Sequence, residues 1–177
     1  MPWNACGAPT STSPTSPNPT KLPLADFSLV AVGRLGRGPE ADLFARYNAR
    51  LRPNLRVVEV ADARGSPPEI KRREAAAILA AVPPPTFLIA LDLGGRAESS
   101  DSLAHLLTRW TELARPLAFT IGGAEGLDAA ILTRADFSLS LGPLTWPHMM
   151  VRVLLAEQLF RAQSIAAGHP YHRAGRP

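Results

Sequence analysis

Five short apolar runs recur along this chain: Phe27 to Gly33, Leu55 to Val60, Phe87 to Leu91, Leu117 to Ile121 and Phe137 to Leu141. Each is too short for a helix, and several are rich in β-branched residues, so each reads as a strand. They are apolar throughout rather than alternating, which requires cover on both faces. The stretches between them keep helical spacing. Strands alternating with helices give an α/β domain, with a mostly parallel sheet and flanking helices. At 177 residues the chain is long enough for one such domain with its own core, and no internal repeat divides it.

Local signals set the boundaries. Pro39 suits a first helical position, with Leu43, Tyr47 and Leu51 following at helical spacing. Ser66-Pro67-Pro68-Glu69 has the spacing of a capping box and opens an Ala-rich helix that Pro83-Pro84-Pro85 stops after about Val82. The third strand is expected to end at Asp92, with Gly94-Gly95 as a turn. Ser99 or Ser100 caps the next helix, which carries Leu103, Leu106, Leu107, Trp110 and Leu113. A short helix is expected from about Leu127 to Arg134. The last runs from Pro147 to Ala167, with Gly168 just past its end.

Residues 1–25 are rich in Pro, Ser and Thr and too poor in apolar groups to offset the entropy of ordering. They read as a disordered extension, or as a start codon assigned too early, ahead of a domain spanning 26–177. Net charge is +4, and 17 of the 19 basic residues are arginine. That permits an anionic partner such as RNA without demanding one, and it equally follows from genomic base composition. A lone Cys6 excludes an internal disulfide and a cysteine-based zinc site. No metal is expected, nor a membrane span, and the start lacks the charged and apolar pattern of a leader, so a cytoplasmic protein is expected.

The final helix carries Met149, Met150, Val151, Val153, Leu154, Leu155, Leu159, Phe160 and Ile165 around nearly its whole circumference. Such a helix is covered on more than one side. The sheet covers one, and a second subunit is the natural cover for the other, so a homodimer is expected. A deeply buried helix in a monomer is the alternative.

Three loops deserve chemical scrutiny. Gly33-x-x-Gly36-x-Gly38, with Glu59 further on, imitates a dinucleotide fingerprint in the wrong order and abuts Pro39, which has no N–H for a phosphate. It reads as a turn, and a nucleotide-dependent oxidoreductase is disfavoured. Ile121 to Gly126 follows a strand at the sheet edge where ligands bind in open α/β folds, and Gly122 is expected to leave the space a ligand needs. Leu141 to Trp146 also links a strand to a helix start. Its backbone suits the adenine edge of a nucleotide-like cofactor, with Leu141, Leu144 and Trp146 lining the ring.

His148 opens the final helix, where the dipole favours the neutral, base-competent imidazole; a purely structural histidine is the other reading. Arg152, one turn on, is placed to face a phosphate. The tail His169, Tyr171, His172 and Arg173 has no role in a core. It is either frayed or ordered by RNA or a partner subunit.

Taken together, Ile121-Gly-Gly-Ala-Glu-Gly126, Leu139-Ser-Leu-Gly-Pro-Leu-Thr-Trp-Pro-His148, Val151 to Ala162 and His169-Pro-Tyr-His-Arg173 resemble the ribosomal large-subunit pseudouridine N3-methyltransferases of the SPOUT class. Leu29-Val-Ala-Val-Gly33 and the strand end at Leu91-Asp92 fit as well, so the resemblance spans about Phe27 to Arg173. It implies a C-terminal trefoil knot, a homodimer, and S-adenosylmethionine (SAM) as methyl donor. It implies SAM contacts at Leu91, Gly122, Leu141, Gly142, Pro143, Leu144, Thr145 and Trp146. The implied substrate is a pseudouridine of 23S rRNA, methylated at N3 on the assembled ribosome, with His148, Arg152, Tyr171, His172 and Arg173 as catalytic candidates. Pro143 departs from many relatives and removes one backbone donor from the cofactor loop. A non-catalytic ribosome-binding factor of the same fold is the alternative function.

Overall fold

The computed structural model of the protein describes residues 26–171. The expected extension at 1–25, and His172 and Arg173 of the tail, lie outside them. The elements are β1 (Phe27–Val32), α1 (Pro39–Asn48), β2 (Arg56–Val60), α2 (Pro67–Ala81), β3 (Phe87–Ala97), α3 (Ser100–Glu112), β4 (Leu117–Ile121), α4 (Ala129–Arg134), β5 (Phe137–Ser140) and α5 (His148–Ala166). The strands form one sheet in the order β2-β1-β4-β3-β5, and every strand pairing is parallel.

Both faces of the sheet are covered, as the unbroken apolar runs require. Leu29 and Ala31 of β1 point into a core shared with α1, α3 and α5. Val30 and Val32 point the other way, into a core shared with α2 and α4. Leu29, Leu88 and Phe119 are fully buried, each contributing ~2 kcal/mol of hydrophobic stabilisation. In α1 the buried side chain is Phe44, while Leu43 stays exposed.

The caps follow local chemistry. Ser66 precedes α2, and both its backbone N–H and its hydroxyl donate to Glu69 Oε2, at 3.0 and 2.9 Å. These bonds hold the exposed Glu69 carboxyl below its ordinary pKa. Ser99 caps α3, its hydroxyl accepting from Ser102 N–H at 3.1 Å. Asp128 does the same for α4, accepting from Ala130 N–H at 2.8 Å.

One expectation fails. Gly94-Gly95 does not end β3; the strand continues to Ala97, with an irregularity between Leu91 and Arg96, both of which face Leu139 of β5. The reason is close approach. A Cβ on Gly95 would lie 2.8 Å from backbone carbons of Ser138 and Leu139. Glycine here lets β5 press on β3, a use that a turn signal imitates.

Candidate cofactor pocket and active site

A cavity of about 440 Å³ opens at the carboxyl ends of β4 and β5, beside the irregular middle of β3. Its wall is assembled from Leu91 and Asp92 after the core of β3, the loop Gly122–Gly126 after β4, the loop from Leu141 to Pro147 after β5, and the first turn of α5. Leu91, Gly122, Leu141, Gly142, Leu144, Thr145, Trp146 and His148 therefore meet in one place, as their positions in the chain lead one to expect. Pro143 is not part of the wall.

The glycines of this wall do different jobs. Gly142 has φ +105° and Gly126 has φ +77°, both in the region that disfavours side chains, and a Cβ on either would meet nothing within 4 Å. Their backbone is bared to open space. The Ser140 hydroxyl pins this turn, accepting from Gly142 N–H at 3.2 Å and donating to Gly142 O at 3.1 Å. Gly122 behaves otherwise than expected. A Cβ there would collide with the loop's own backbone, 2.8 Å from Gly126 C and 3.0 Å from Leu127 N, rather than with ligand space. Gly123 is pressed from behind by the buried Glu74 carboxylate, whose oxygens would lie 2.9 and 3.1 Å from a Cβ.

His148 lines the cavity at its α5 side. A Cβ on Gly33 would lie 3.5 Å from His148 Nε2 and 3.3 Å from Asp62 Oδ1, so the start of the β1–α1 loop stands beside the imidazole, with Asp62 close to the same glycine.

Arg152 corrects an expectation. Its side chain is fully buried and faces no phosphate. Nη2 donates to the carbonyls of Val32 and Gly33 at 2.9 and 2.6 Å, and Nη1 reaches Glu59 Oε1 at 3.4 Å. Burial pulls the guanidinium pKa down, while Glu59 and Asp62 push it up. Within the subunit this arginine ties α5 to the carboxyl end of β1. Sequence spacing placed it one turn from His148 but had no means of showing which way it points.

Tyr171 stands at the far end of α5. A helix of 19 residues separates the tail's root from the pocket by ~27 Å. The tail leaves α5 through Gly168 at φ +63°, with His169 N–H donating to Ser164 O at 2.8 Å. Tyr171 then folds back. Its hydroxyl donates to Glu157 Oε1 at 3.1 Å, its ring meets Phe160 edge-on at 4.6 Å, and Arg161 lies over its face at 5.1 Å. Burial, reinforced by Glu157, pushes its pKa up to about 12.

A larger cavity, about 630 Å³, lies between α3, the end of α5 and residues 50–53. None of the loops at the carboxyl ends of the strands reaches it. Size alone would favour it, but the smaller cavity holds the convergent loops and the bared backbone.

The family model for predicted SPOUT methyltransferases matches residues 26–172. The chain belongs to the SPOUT methyltransferase family. It is 61% identical over 149 residues to the ribosomal RNA large subunit methyltransferase H of Gluconacetobacter diazotrophicus, covering 84% of this chain and 98% of that protein. It is 59% identical over 155 residues to the protein of the same name from Acidiphilium cryptum, covering 88% and 98%. Among solved structures, a probable methylase family protein from Haemophilus influenzae shares the fold, with a TM-score of 0.53 at 12% identity over 86% of this chain and 72% of that one.

This SPOUT chain uses SAM, and the cavity suits it. Leu91, Leu141, Leu144 and Trp146 offer apolar cover for a planar base, and the bare backbone at Gly126 and Gly142 lets a ligand approach closely. Pro143 brings no N–H, and the Gly142 N–H is already spent on Ser140, so that corner of the loop offers carbonyls. Among the described residues no cluster suits a metal ion, and no helix is long and apolar enough to cross a membrane.

Proposed function

We propose that this chain methylates N3 of a pseudouridine in 23S rRNA of the assembled large ribosomal subunit, in the cytoplasm and as a homodimer. The observation that carries the reading is the convergence of the Gly122–Gly126 loop, the Leu141–Pro147 loop and His148 on one cavity, in a chain so close to large-subunit rRNA methyltransferases. That complete cavity also disfavours a non-catalytic binding factor.

SAM supplies a methyl group already activated by its sulfonium. The chain's own work is to hold donor and base in line and to help remove the N3 proton. Leu91, Gly122, Leu141, Gly142, Leu144, Thr145 and Trp146 form the donor's seat, with Pro143 shaping the loop behind it. His148, on the cavity wall, is our candidate for the proton. Arg152 acts as a positioning residue through the β1 carbonyls. Tyr171 anchors a tail whose His172 and Arg173 serve the RNA.

Two features support the dimer. The tail's root is ~27 Å from its own pocket. Met149, Met150, Val151, Leu154, Phe160 and Ile165 of α5 remain only half-buried in one subunit. Antiparallel packing of two α5 helices covers these residues and brings each tail to the neighbour's cavity. The knot is supported by the sheet order, in which the chain passes from β4 beyond β3 to the edge before α5 returns between α1 and α3.

Mapping modified bases on ribosomal RNA from a strain lacking the gene tests the function. N3-methylpseudouridine should vanish from one large-subunit position and return on complementation. An unchanged modification map would refute it.

A further inference from the structure

The glycine-arginine loop after β1 is unexplained by the cofactor's seat. It comprises Gly33-Arg34-Leu35-Gly36-Arg37-Gly38, and glycine φ values of +80°, +66° and +152° fold it into a compact bend. Its root touches the active site, since Gly33 packs beside the His148 imidazole. Arg34 and Arg37 are both exposed, and among the described residues neither side chain makes a hydrogen bond or ion pair.

The loop is held from below at four points. Gly33 N–H donates to Val60 O at 2.8 Å. Leu35 N–H donates to Glu59 Oε1 at 2.6 Å, and the Leu35 side chain packs on the core. Arg152 grips the Gly33 carbonyl and pairs with the same Glu59. A buried arginine and a carboxylate are thus spent on fixing a surface loop whose free ends are two guanidinium groups. A loop serving only as a connection needs no such support.

We propose that Arg34 and Arg37 grip backbone phosphates of the RNA beside the target nucleotide, presented at the rim of the pocket by the Arg152–Glu59 pair. The inference rests on the rRNA reading above and adds to it two contacts. Guanidinium suits the task because its planar fork of donors matches two phosphate oxygens. The Glu40 and Asp62 carboxylates stand at the two ends of the loop, beside Gly38 and Gly33.

The test uses the full-length protein and purified ribosomes that lack the modification. Binding is measured across a salt series for wild type, Arg34→Ala, Arg37→Ala, the double variant, and Arg109→Ala as an exposed control on α3. Each loop arginine removed should lower the slope of log affinity against log salt by about 1. KM for ribosomes should rise several-fold while kcat at saturation and calorimetric SAM affinity stay at the wild-type value. Arg109→Ala should leave the slope unchanged. An unchanged slope in the folded double variant, an equal fall in Arg109→Ala, or loss of SAM binding would each overturn the proposal. Wild-type protein that binds SAM and ribosomes but methylates no base would instead refute the functional reading, and the salt slopes would still decide the loop's role.

Discussion

Arg152 and Gly33 are 119 residues apart in the chain and joined by a 2.6 Å hydrogen bond from guanidinium to carbonyl. The same nitrogen holds Val32 O, and the neighbouring one holds Glu59. Arg152→Met roughly keeps the volume but strands two carbonyls and leaves Glu59 with Leu35 N–H alone. Leaving buried carbonyls without a donor costs about 1–3 kcal/mol, while Glu59, whose side chain is 37% exposed, turns to water. Urea unfolding should show that loss. Arg152→Lys should recover part of it, because a single ammonium cannot reproduce the fork. Wild-type stability in Arg152→Met would contradict this account.

Two glycines should fail in different ways. Gly142→Ala places a Cβ in open space but at φ +105°, so the strain stays within the loop. The empty loop relaxes to relieve a strain on the order of 1–2 kcal/mol and must take it up again to hold SAM, so SAM affinity should fall by about ten-fold with little change in fold stability. Gly95→Ala drives a Cβ to 2.8 Å from the backbone of β5. It should cost about 2 kcal/mol of stability before any question of ligand arises. Calorimetry with SAM and thermal melts separate the two. Equal effects of both substitutions on stability would argue against the distinction.

Tyr171 should titrate late. Its folded pKa of about 12 stands above the ordinary value of 10.0. The neutral phenol is the form the folded protein prefers, so its contribution is fully present below pH 10 and is lost as pH rises through 10 to 12. Ultraviolet titration of wild type against Tyr171→Phe isolates this group from Tyr47. Tyr171→Phe should keep the ring on Phe160 but release Glu157. A difference spectrum centred near pH 10 would show the phenol to be free.

The tail should act across subunits. A protein ending at Gly168 should keep its fold and its SAM affinity within a few-fold, yet leave ribosomes unmethylated. Mixed with Gly142→Val, which is intact in the tail and defective in the pocket, it should recover partial activity through heterodimers. Full activity in the shortened protein alone, or no recovery with heterodimers confirmed, would defeat the shared site.

The strands were legible because a buried parallel strand is written locally, as an apolar run with its turn. The caps at Ser66 and Ser99 were legible for the same reason. What escaped depended on partners remote in sequence. Gly94-Gly95 has the composition of a turn, and only the backbone of β5 explains it as a close approach. Glu59 drew notice as part of a failed dinucleotide fingerprint, whereas its work is to hold Leu35 N–H and Arg152. Helical spacing put Arg152 near His148 and misjudged its direction, because a buried guanidinium is decided by which carbonyls lie opposite. Gly122 was correctly marked as intolerant of a side chain, but for the wrong neighbour.

The position of β5 at the sheet edge beyond β3 has a consequence for biosynthesis. β1 to β4 can pair as they are made, because the order β2-β1-β4-β3 needs nothing from later in the chain. The cofactor's seat cannot form then: its second loop and its histidine arrive only after Phe137 has been added. Domains assemble from the N-terminus as translation proceeds. A nascent chain of this protein is therefore catalytically silent until β5 has joined the sheet edge and the loop and helix after it have closed the cavity.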